Sequence, residues 1–146
     1  MRIVLADSGP LYALVDRDDQ HHRRSQAELE QLGARGRAVG LAVPILMESY
    51  SLVLHRLGPA VAHRWLSEIE VGTGRIHPVA ADVTAACERL SLYPDQDITL
   101  FDAVLGELAD RLDAPVWTFD HHFDVMAVEV WRSSHPGPQT TPQTSL

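Results

Sequence analysis

Four acidic residues stand at four separate places in this chain, each beside a segment that could deliver it to one edge of a sheet. They are Asp7 in RIVLADSGPL, Glu48 in VPILMESYSL, Asp102 in ITLFDAVLGELA and Asp120 in VWTFDHHF. Carboxylates that are brought together repel one another unless protons or a hard cation neutralise them. The set therefore most simply predicts a site for Mg²⁺, with Mn²⁺ as a possible substitute.

Short apolar segments alternate along the chain with amphipathic ones. The apolar segments predict strands at residues 2–6, 39–43, 75–79 and 116–119, with a short fifth strand at 128–131. The amphipathic segments predict helices at residues 11–16, 19–35, 44–57, 61–69, 83–92 and 99–112. This alternation favours an α/β fold of three layers, in which helices flank a mostly parallel sheet of short strands.

Two of the acids directly follow predicted strands. Asp7 comes after the first strand and Asp120 after the fourth. Ligands of open α/β sheets bind beyond the carboxyl ends of the strands, so both residues are candidates for a ligand site. Asp7 could instead cap the next helix, and Asp120 could be a turn residue.

The other two acids are predicted to lie on helices. Glu48 falls opposite the main apolar stripe of its helix, so an ordinary solvated glutamate is the alternative to a ligand. Asp102 lies in a first helical turn, three residues after Thr99, where a capping box also fits. Asp97, in the preceding loop, is either a turn residue or a further acid near the site. Ser8 and Thr118 could each hydrogen-bond a carboxylate or a phosphate, or only their own turn.

The charge and composition exclude several classes of protein. The net charge of −8 counts against nucleic-acid binding unless arginines cluster or a metal consumes the acids. Arg17, Arg23 and Arg24 lie in a locally basic stretch that either contacts RNA phosphates or forms a solvated helix face. All twelve basic residues are arginine, which excludes a P-loop and a Schiff-base lysine.

The single cysteine and the hydropathy bear on the compartment. Cys87 cannot form an internal disulfide, which favours a reducing cytoplasm, and its setting among small residues predicts a buried thiol. The opening apolar run ends at Asp7, too early for a secretion signal, and no segment is long enough to span a bilayer.

The acids belong to an ordered set of motifs. A strand leads to Asp7, a helix carries Glu48, a further helix starts around Asp102, and Thr-x-Asp-x-x-Phe occupies residues 118–123. This set resembles the PIN-domain ribonucleases, and more closely the VapC toxins of bacterial toxin–antitoxin pairs. The segment VDRDDQHH at residues 15–22 also resembles those toxins. We predict a PIN-like domain at residues 1–132 and a disordered C-terminal tail at residues 133–146, where Pro, Thr and Gln predominate.

The resemblance implies an activity and partners. It implies a metal-dependent endoribonuclease in which Asp7, Glu48, Asp102 and Asp120 hold the metal, directly or through water. The metal would lower the pKa of a bound water and orient the hydroxide toward the scissile phosphate. It also implies an antitoxin partner and a homodimer. The number of metals and the proton acceptor remain open.

Two positions depart from the pattern that the resemblance implies. Phe101 stands where a hydroxyl residue often precedes the aspartate. His122 takes a place that is often acidic, which leaves Asp124 as a possible additional acid.

Three alternatives compete with the nuclease. The first is a catalytically inert PIN-fold module that binds protein or RNA. An aspartyl-phosphate phosphatase would need a second aspartate where Gly9 stands. A zinc site would use the histidine pairs at residues 21–22 and 121–122, but adjacent histidines do not converge easily on one ion.

Overall fold

The computed structural model describes residues 2–133. From residue 134 onward, the tail predicted at residues 133–146 lies outside the described residues. The elements follow in this order: β1 (Arg2–Ala6), α1 (Ser8–Val15), α2 (His22–Ala34), β2 (Arg37–Ala42), α3 (Val43–Leu57), α4 (Pro59–Gly72), β3 (Gly74–Ile76), α5 (Ala80–Leu90), α6 (Leu100–Leu112), β4 (Val116–Trp117) and α7 (His122–Val125).

The four strands form one parallel sheet in the order β3-β2-β1-β4. Leu5 of β1 pairs with Gly40 of β2 on one side and with Val116 of β4 on the other. Parallel pairing brings the carboxyl ends of β1 and β4 to the same edge, where the Asp7 N–H donates to the Trp117 carbonyl at 2.9 Å. The predicted α/β class, a parallel sheet flanked by helices, is confirmed.

The sheet is buried in a core that its strands and helix α6 share. Val4, Leu5 and Ala6 are fully buried, as are Ala103 and Leu108 of α6. A strand that is buried on both faces needs a continuous apolar run rather than alternation, and the buried part of β1 is accordingly Val-Leu-Ala. Gly40 leaves room for the side chains of neighbouring strands, because a Cβ there would lie 2.7 Å from Ile76 Cδ1 and 2.9 Å from Ile3 Cγ2 and would force them to shift.

A second, smaller cluster joins helices α1, α3 and α4. It is built from Tyr12, Val53, Ala62 and Trp65. Gly58 separates α3 from α4 with a φ of 87°, a left-handed conformation that glycine adopts without a Cβ penalty. Pro59 then begins α4, where its missing N–H leaves no helical bond unmade.

The predicted boundaries shift most where loops meet the sheet. The fourth strand ends at Trp117 rather than at residue 119, because Thr118 and Phe119 turn into the site. The predicted fifth strand is reduced to a single parallel bridge between Val116 and Val130. The helix predicted from residue 19 begins only at His22, since Asp16 and Asp19 accept backbone hydrogen bonds in the turn before it.

The structure bears on two further features, the exposure of Cys87 and the length of the apolar helices. Cys87 is exposed, so the predicted buried thiol is wrong; the neighbouring Ala86 is the residue of that turn of α5 that faces the core. Within residues 2–133, none of the helices combines the length and the hydrophobicity that crossing a membrane requires.

Candidate metal centre

A cavity of about 420 Å³ opens where the carboxyl ends of β1 and β4 meet helices α3 and α6. We call it the acid pocket. All four of the acids selected from the sequence line it: Asp7, Glu48, Asp102 and Asp120. The fold therefore gathers residues from both halves of the chain into one cavity.

Asp7 occupies the most enclosed position in the acid pocket. It is 4% exposed, at the end of the central strand. Its Oδ1 accepts the Ser8 N–H at 2.8 Å, and its Oδ2 accepts the Thr118 hydroxyl at 2.7 Å. Asp7 is thus the N-cap of α1 and a wall of the pocket at once, so the two alternatives for this residue do not exclude each other.

Thr118 links the two strand-end aspartates. Its buried hydroxyl donates to Asp7 and accepts the Asp120 N–H at 2.9 Å. The Asp120 carboxylate in turn accepts the His122 N–H at 2.9 Å on Oδ1. One hydroxyl therefore fixes the position of Asp7 relative to the turn that carries Asp120.

Asp102 points inward from the first turn of α6. Thr99 is the N-cap of this helix, and its hydroxyl accepts the Asp102 N–H at 3.1 Å. Asp102 is 6% exposed, whereas the preceding Phe101 is 41% exposed. The capping hydrogen bond fixes the start of the helix, and this leaves the Asp102 side chain facing the pocket.

Three of the four carboxylates form a tight group. One oxygen from each of Asp7, Asp102 and Asp120 lies within 4.8 Å of the other two. Glu48 lines the same pocket but is not part of this group; it is half-buried on the wall formed by α3. Ionised carboxylates at this spacing in a partly dry pocket need protons or a cation between them.

The acid pocket raises the pKa of two of its members. Burial raises the pKa of Asp7 from 3.8 to about 7, and the charge of Asp102 adds to this, although the hydrogen bonds from Thr118 and Ser8 oppose it. Burial likewise raises the pKa of Asp102 to about 6, with the charges of Asp120 and Glu48 adding to it. Near neutral pH the metal-free pocket therefore retains part of its protons.

The remaining candidate acids lie away from the tight group. Asp97 is exposed in the loop before α6 and does not line the acid pocket. Asp124 accepts two hydrogen bonds of 2.8 Å from Arg132 Nη2, and this exposed ion pair satisfies it. Ser8 reaches the site through its backbone N–H.

The three candidate RNA-contacting arginines are all exposed but differ in surroundings. Arg17 lines a separate groove between α1, α2 and α4. Arg23 is exposed on α2. Arg24 lines a cavity together with Asp120, and its guanidinium carbon lies 4.4 Å from the centre of the Phe119 ring.

Sequence reasoning missed a cation in the acid pocket. Arg56 lines it, and its guanidinium carbon lies 4.8 Å from the centre of the Tyr12 ring. A signal for it was present, since Glu48, Leu52 and Arg56 are spaced four residues apart and so share one face of α3. A positive charge at the rim of an acidic pocket is well placed to meet a substrate phosphate.

The histidine pair after Asp120 behaves differently from the expectation. A carboxylate oxygen of Asp120 and one ring nitrogen each of His121 and His122 lie within 4.8 Å of one another, so these adjacent histidines do converge. His122 Nδ1 is buried and makes no hydrogen bond, although Asp120 Oδ1 lies 3.0 Å away at an unfavourable angle. The two rings are tilted by 37° with their centroids 4.3 Å apart.

The link through Thr118 makes a prediction about metal affinity. Thr118→Val keeps the shape of the side chain but removes the hydroxyl that positions Asp7. We expect the affinity for Mn²⁺, measured by titration calorimetry, to fall about 10- to 100-fold, the usual effect of losing an outer hydrogen-bond partner. Thr118→Ser should retain most of the affinity. Equal affinities in the wild type and Thr118→Val would mean that the hydroxyl does not position a metal ligand.

Comparisons with known proteins agree with this architecture. The family model of the PIN domain matches residues 4–129. No curated protein sequence matches the chain. Among solved structures, 22 chains match it.

Three of the similar structures come from bacteria. VapC20 of Mycobacterium tuberculosis, described as a sarcin–ricin loop cleaving toxin, has a TM-score of 0.76 and 19% identity over 89% of this chain and 99% of that one. VapBC2 of Rickettsia felis, bound to a DNA fragment from its promoter, has a TM-score of 0.71 and 14% identity over 89% and 97%. FitAcB of Neisseria gonorrhoeae has a TM-score of 0.64 and 18% identity over 88% and 96%. At these identities the likeness establishes a shared fold.

Proposed function

This chain belongs to the PIN-domain family, and from that premise we propose that it is a metal-dependent endoribonuclease that acts as the toxin of a toxin–antitoxin pair. The acid pocket carries the proposal. Asp7, Asp102 and Asp120 bring oxygens within 4.8 Å of one another, and burial there raises two pKa values toward neutrality. A scaffold alone has no use for such an unfavourable arrangement.

The donor set fits a hard divalent cation. Asp7, Asp102 and Asp120 offer carboxylate oxygens alone, which suit Mg²⁺ and Mn²⁺ rather than softer metals. These three would hold the ion, with Glu48 reaching it directly or through water. When bound, Mg²⁺ or Mn²⁺ neutralises the carboxylates and lowers the pKa of a coordinated water.

The surroundings of each acid suggest different tasks. Asp7 is enclosed and both of its oxygens accept hydrogen bonds, so it is an anchor rather than a group that exchanges protons with substrate. Glu48 is half-buried and lies outside the tight group of three carboxylates. It is the better candidate to accept a proton from the attacking water, since a general base needs an oxygen within hydrogen-bond reach of that water and the oxygens of Asp7 already accept hydrogen bonds.

We propose single-stranded or looped RNA as the substrate. The net charge of −8 opposes RNA binding unless cations lie at the site itself. Arg56 at the rim of the acid pocket and Arg24 beside Asp120 provide such cations. Arg17 and Arg23, which are exposed farther along the α1–α2 region, would extend the contact to more distant phosphates.

The proposed protein partner is an antitoxin segment. A groove of about 500 Å³ runs between α1, α2 and α4, with Leu14, Val15, Val61, Trp65 and Ile69 along it. Its mixed apolar and charged lining suits an amphipathic helix. A homodimer in the cytoplasm, formed through the exposed side of α3 and α4, remains a further proposal.

Cleavage of a total-RNA pool by the purified chain, free of any antitoxin, tests the function. We expect discrete cuts with Mg²⁺ or Mn²⁺, their loss in EDTA, and their return when Mn²⁺ is added in excess. A folded protein that makes no cuts at any metal concentration would instead be an inert binding module. Cuts that persist in EDTA would contradict the metal-dependent mechanism.

A further inference from the structure

A second cavity of about 200 Å³ adjoins the acid pocket. We call it the flanking cavity. Phe119 and Asp120 line both cavities, so the two share a wall. Arg24, His121 and Arg132 line the flanking cavity but not the acid pocket. A polymer chain that lies in the acid pocket would therefore meet the flanking cavity next.

The wall between the two cavities is a stack of flat groups. The Arg24 guanidinium carbon lies 4.4 Å from the Phe119 ring centre, and the His21 ring lies 4.6 Å from it, tilted by 39°. Arg24 Nε also donates to Glu28 Oε1 at 3.2 Å, which helps to hold the guanidinium over the Phe119 ring. More than half of the Arg24 side chain nevertheless stays exposed.

The flanking cavity also contains a cation that is easily released. Arg132 pairs with Asp124, but the two side chains are 66% and 56% exposed. Ion pairs this exposed stabilise a protein very little. Arg132 can therefore leave the Asp124 carboxylate and bind a phosphate oxygen with little loss of stability.

We propose that the flanking cavity binds one unpaired base of the RNA substrate, stacked on the Arg24–Phe119 pair, while Arg132 contacts a neighbouring phosphate. This inference rests on the proposed ribonuclease function and specifies its substrate site. Proteins bind unpaired RNA bases by stacking them on aromatic rings and on guanidinium planes, and this cavity offers both. Its volume is below the roughly 300–1,000 Å³ of pockets for drug-sized ligands, as a site for one flat ring system should be.

The test uses short single-stranded RNAs in which 2-aminopurine replaces one base at a time, titrated with the full chain in EDTA so that binding is measured without cleavage. The fluorescence of 2-aminopurine falls when it stacks. We expect quenching at one position, and an abasic residue at that position should weaken binding about 10-fold, the range measured for one stacked base. Arg24→Ala and Phe119→Leu should remove both effects.

Arg23→Ala is the matched control, because Arg23 is an exposed arginine of the same helix that does not line the flanking cavity. This substitution should weaken the binding of intact RNA and of abasic RNA by the same factor. Thermal unfolding checks whether Phe119→Leu is folded. If that variant is unfolded, Arg24→Ala decides the test alone, because Arg24 is at an exposed position.

Two results would overturn the inference. One is the absence of quenching at every position. The other is an equal loss of affinity for intact and abasic RNA in Arg24→Ala. If the wild type cleaves RNA but either of these results is obtained, the proposed base site is wrong and the proposed nuclease activity stands. Quenching at one position without any cleavage would support the proposed base site and contradict the proposed nuclease activity.

Discussion

Asp7→Asn is expected to lower metal-dependent RNA cleavage about 1,000-fold. The amide keeps the size of the side chain and can still accept hydrogen bonds, but it removes the most buried negative charge of the acid pocket. Stabilisation by a metal ion is worth several kcal/mol, and each 1.4 kcal/mol or so of barrier is a factor of about ten in rate. The measurement is the initial rate of cleavage of an RNA mapped from the total pool, at saturating Mn²⁺.

Asp97→Asn provides the matched control for that result. Asp97 is an aspartate near the start of α6, but it is exposed and outside the acid pocket. The same chemical change there should leave the rate within about twofold of the wild type, as is usual for surface substitutions. Cleavage that survives Asp7→Asn would point to a contaminating nuclease or to a wrongly assigned site. A large loss in Asp97→Asn would bring this fifth acid into the mechanism.

The positions of Asp7 and Asp120 were predictable because one rule applies to both. Each follows an apolar strand, and the carboxyl ends of parallel strands lie at the same edge of a sheet. The neighbouring placement of β1 and β4 completes the argument. The α/β alternation of the sequence was strong enough to predict the strands themselves, although their ends shifted by a few residues.

The helical acids were harder to predict because the apolar stripes were misjudged. On α3, Leu46, Tyr50 and Leu57 pack around the smaller cluster, but Ile45 and Ser49 are also buried. The helix therefore packs on two sides, and Glu48 lies beside a buried face instead of opposite one. On α6, helical spacing places Phe101 and Leu112 on one apolar stripe with Leu105 and Leu108, but Phe101 and Leu112 are 41% and 40% exposed. The small residues between them pack closely instead, as α6 lies against α5 and the sheet.

The flat stack beside the acid pocket could not be predicted from sequence. Arg24 and Phe119 are far apart along the chain, and only the way α2 packs beside the turn after β4 brings them together. The convergence of His121 and His122 on Asp120 depends on side-chain rotamers in a single turn. Periodicity describes faces of elements, whereas such contacts arise where different elements meet.

The metal-free protein is expected to lose about 3 kcal/mol of unfolding free energy between pH 5 and pH 8. An unfolded aspartate with a pKa of 3.8 is already ionised at pH 5, whereas Asp7, with its pKa raised to about 7, still holds its proton in the fold. The folded state therefore binds more protons than the unfolded state, so stability falls as pH rises. Asp7 accounts for most of the change at about 1.36 kcal/mol per pH unit, and the more accessible Asp102 adds less.

Urea unfolding in EDTA at pH 5 and pH 8 measures this loss, and Mn²⁺ should reverse it. Metal displaces the remaining protons, so it binds weakly at pH 5 and strongly at pH 8. At a concentration 100 times its dissociation constant, Mn²⁺ restores about 2.7 kcal/mol of unfolding free energy.

Asp7→Asn should flatten the pH dependence and be more stable than the wild type at pH 8 in EDTA, whereas Asp97→Asn should follow the wild type. A pH dependence that Asp7→Asn leaves unchanged would mean that burial does not raise the pKa of Asp7 in the folded protein. A variant that gains stability as it loses activity would instead identify the acid pocket as a site kept for chemistry at a cost to the fold.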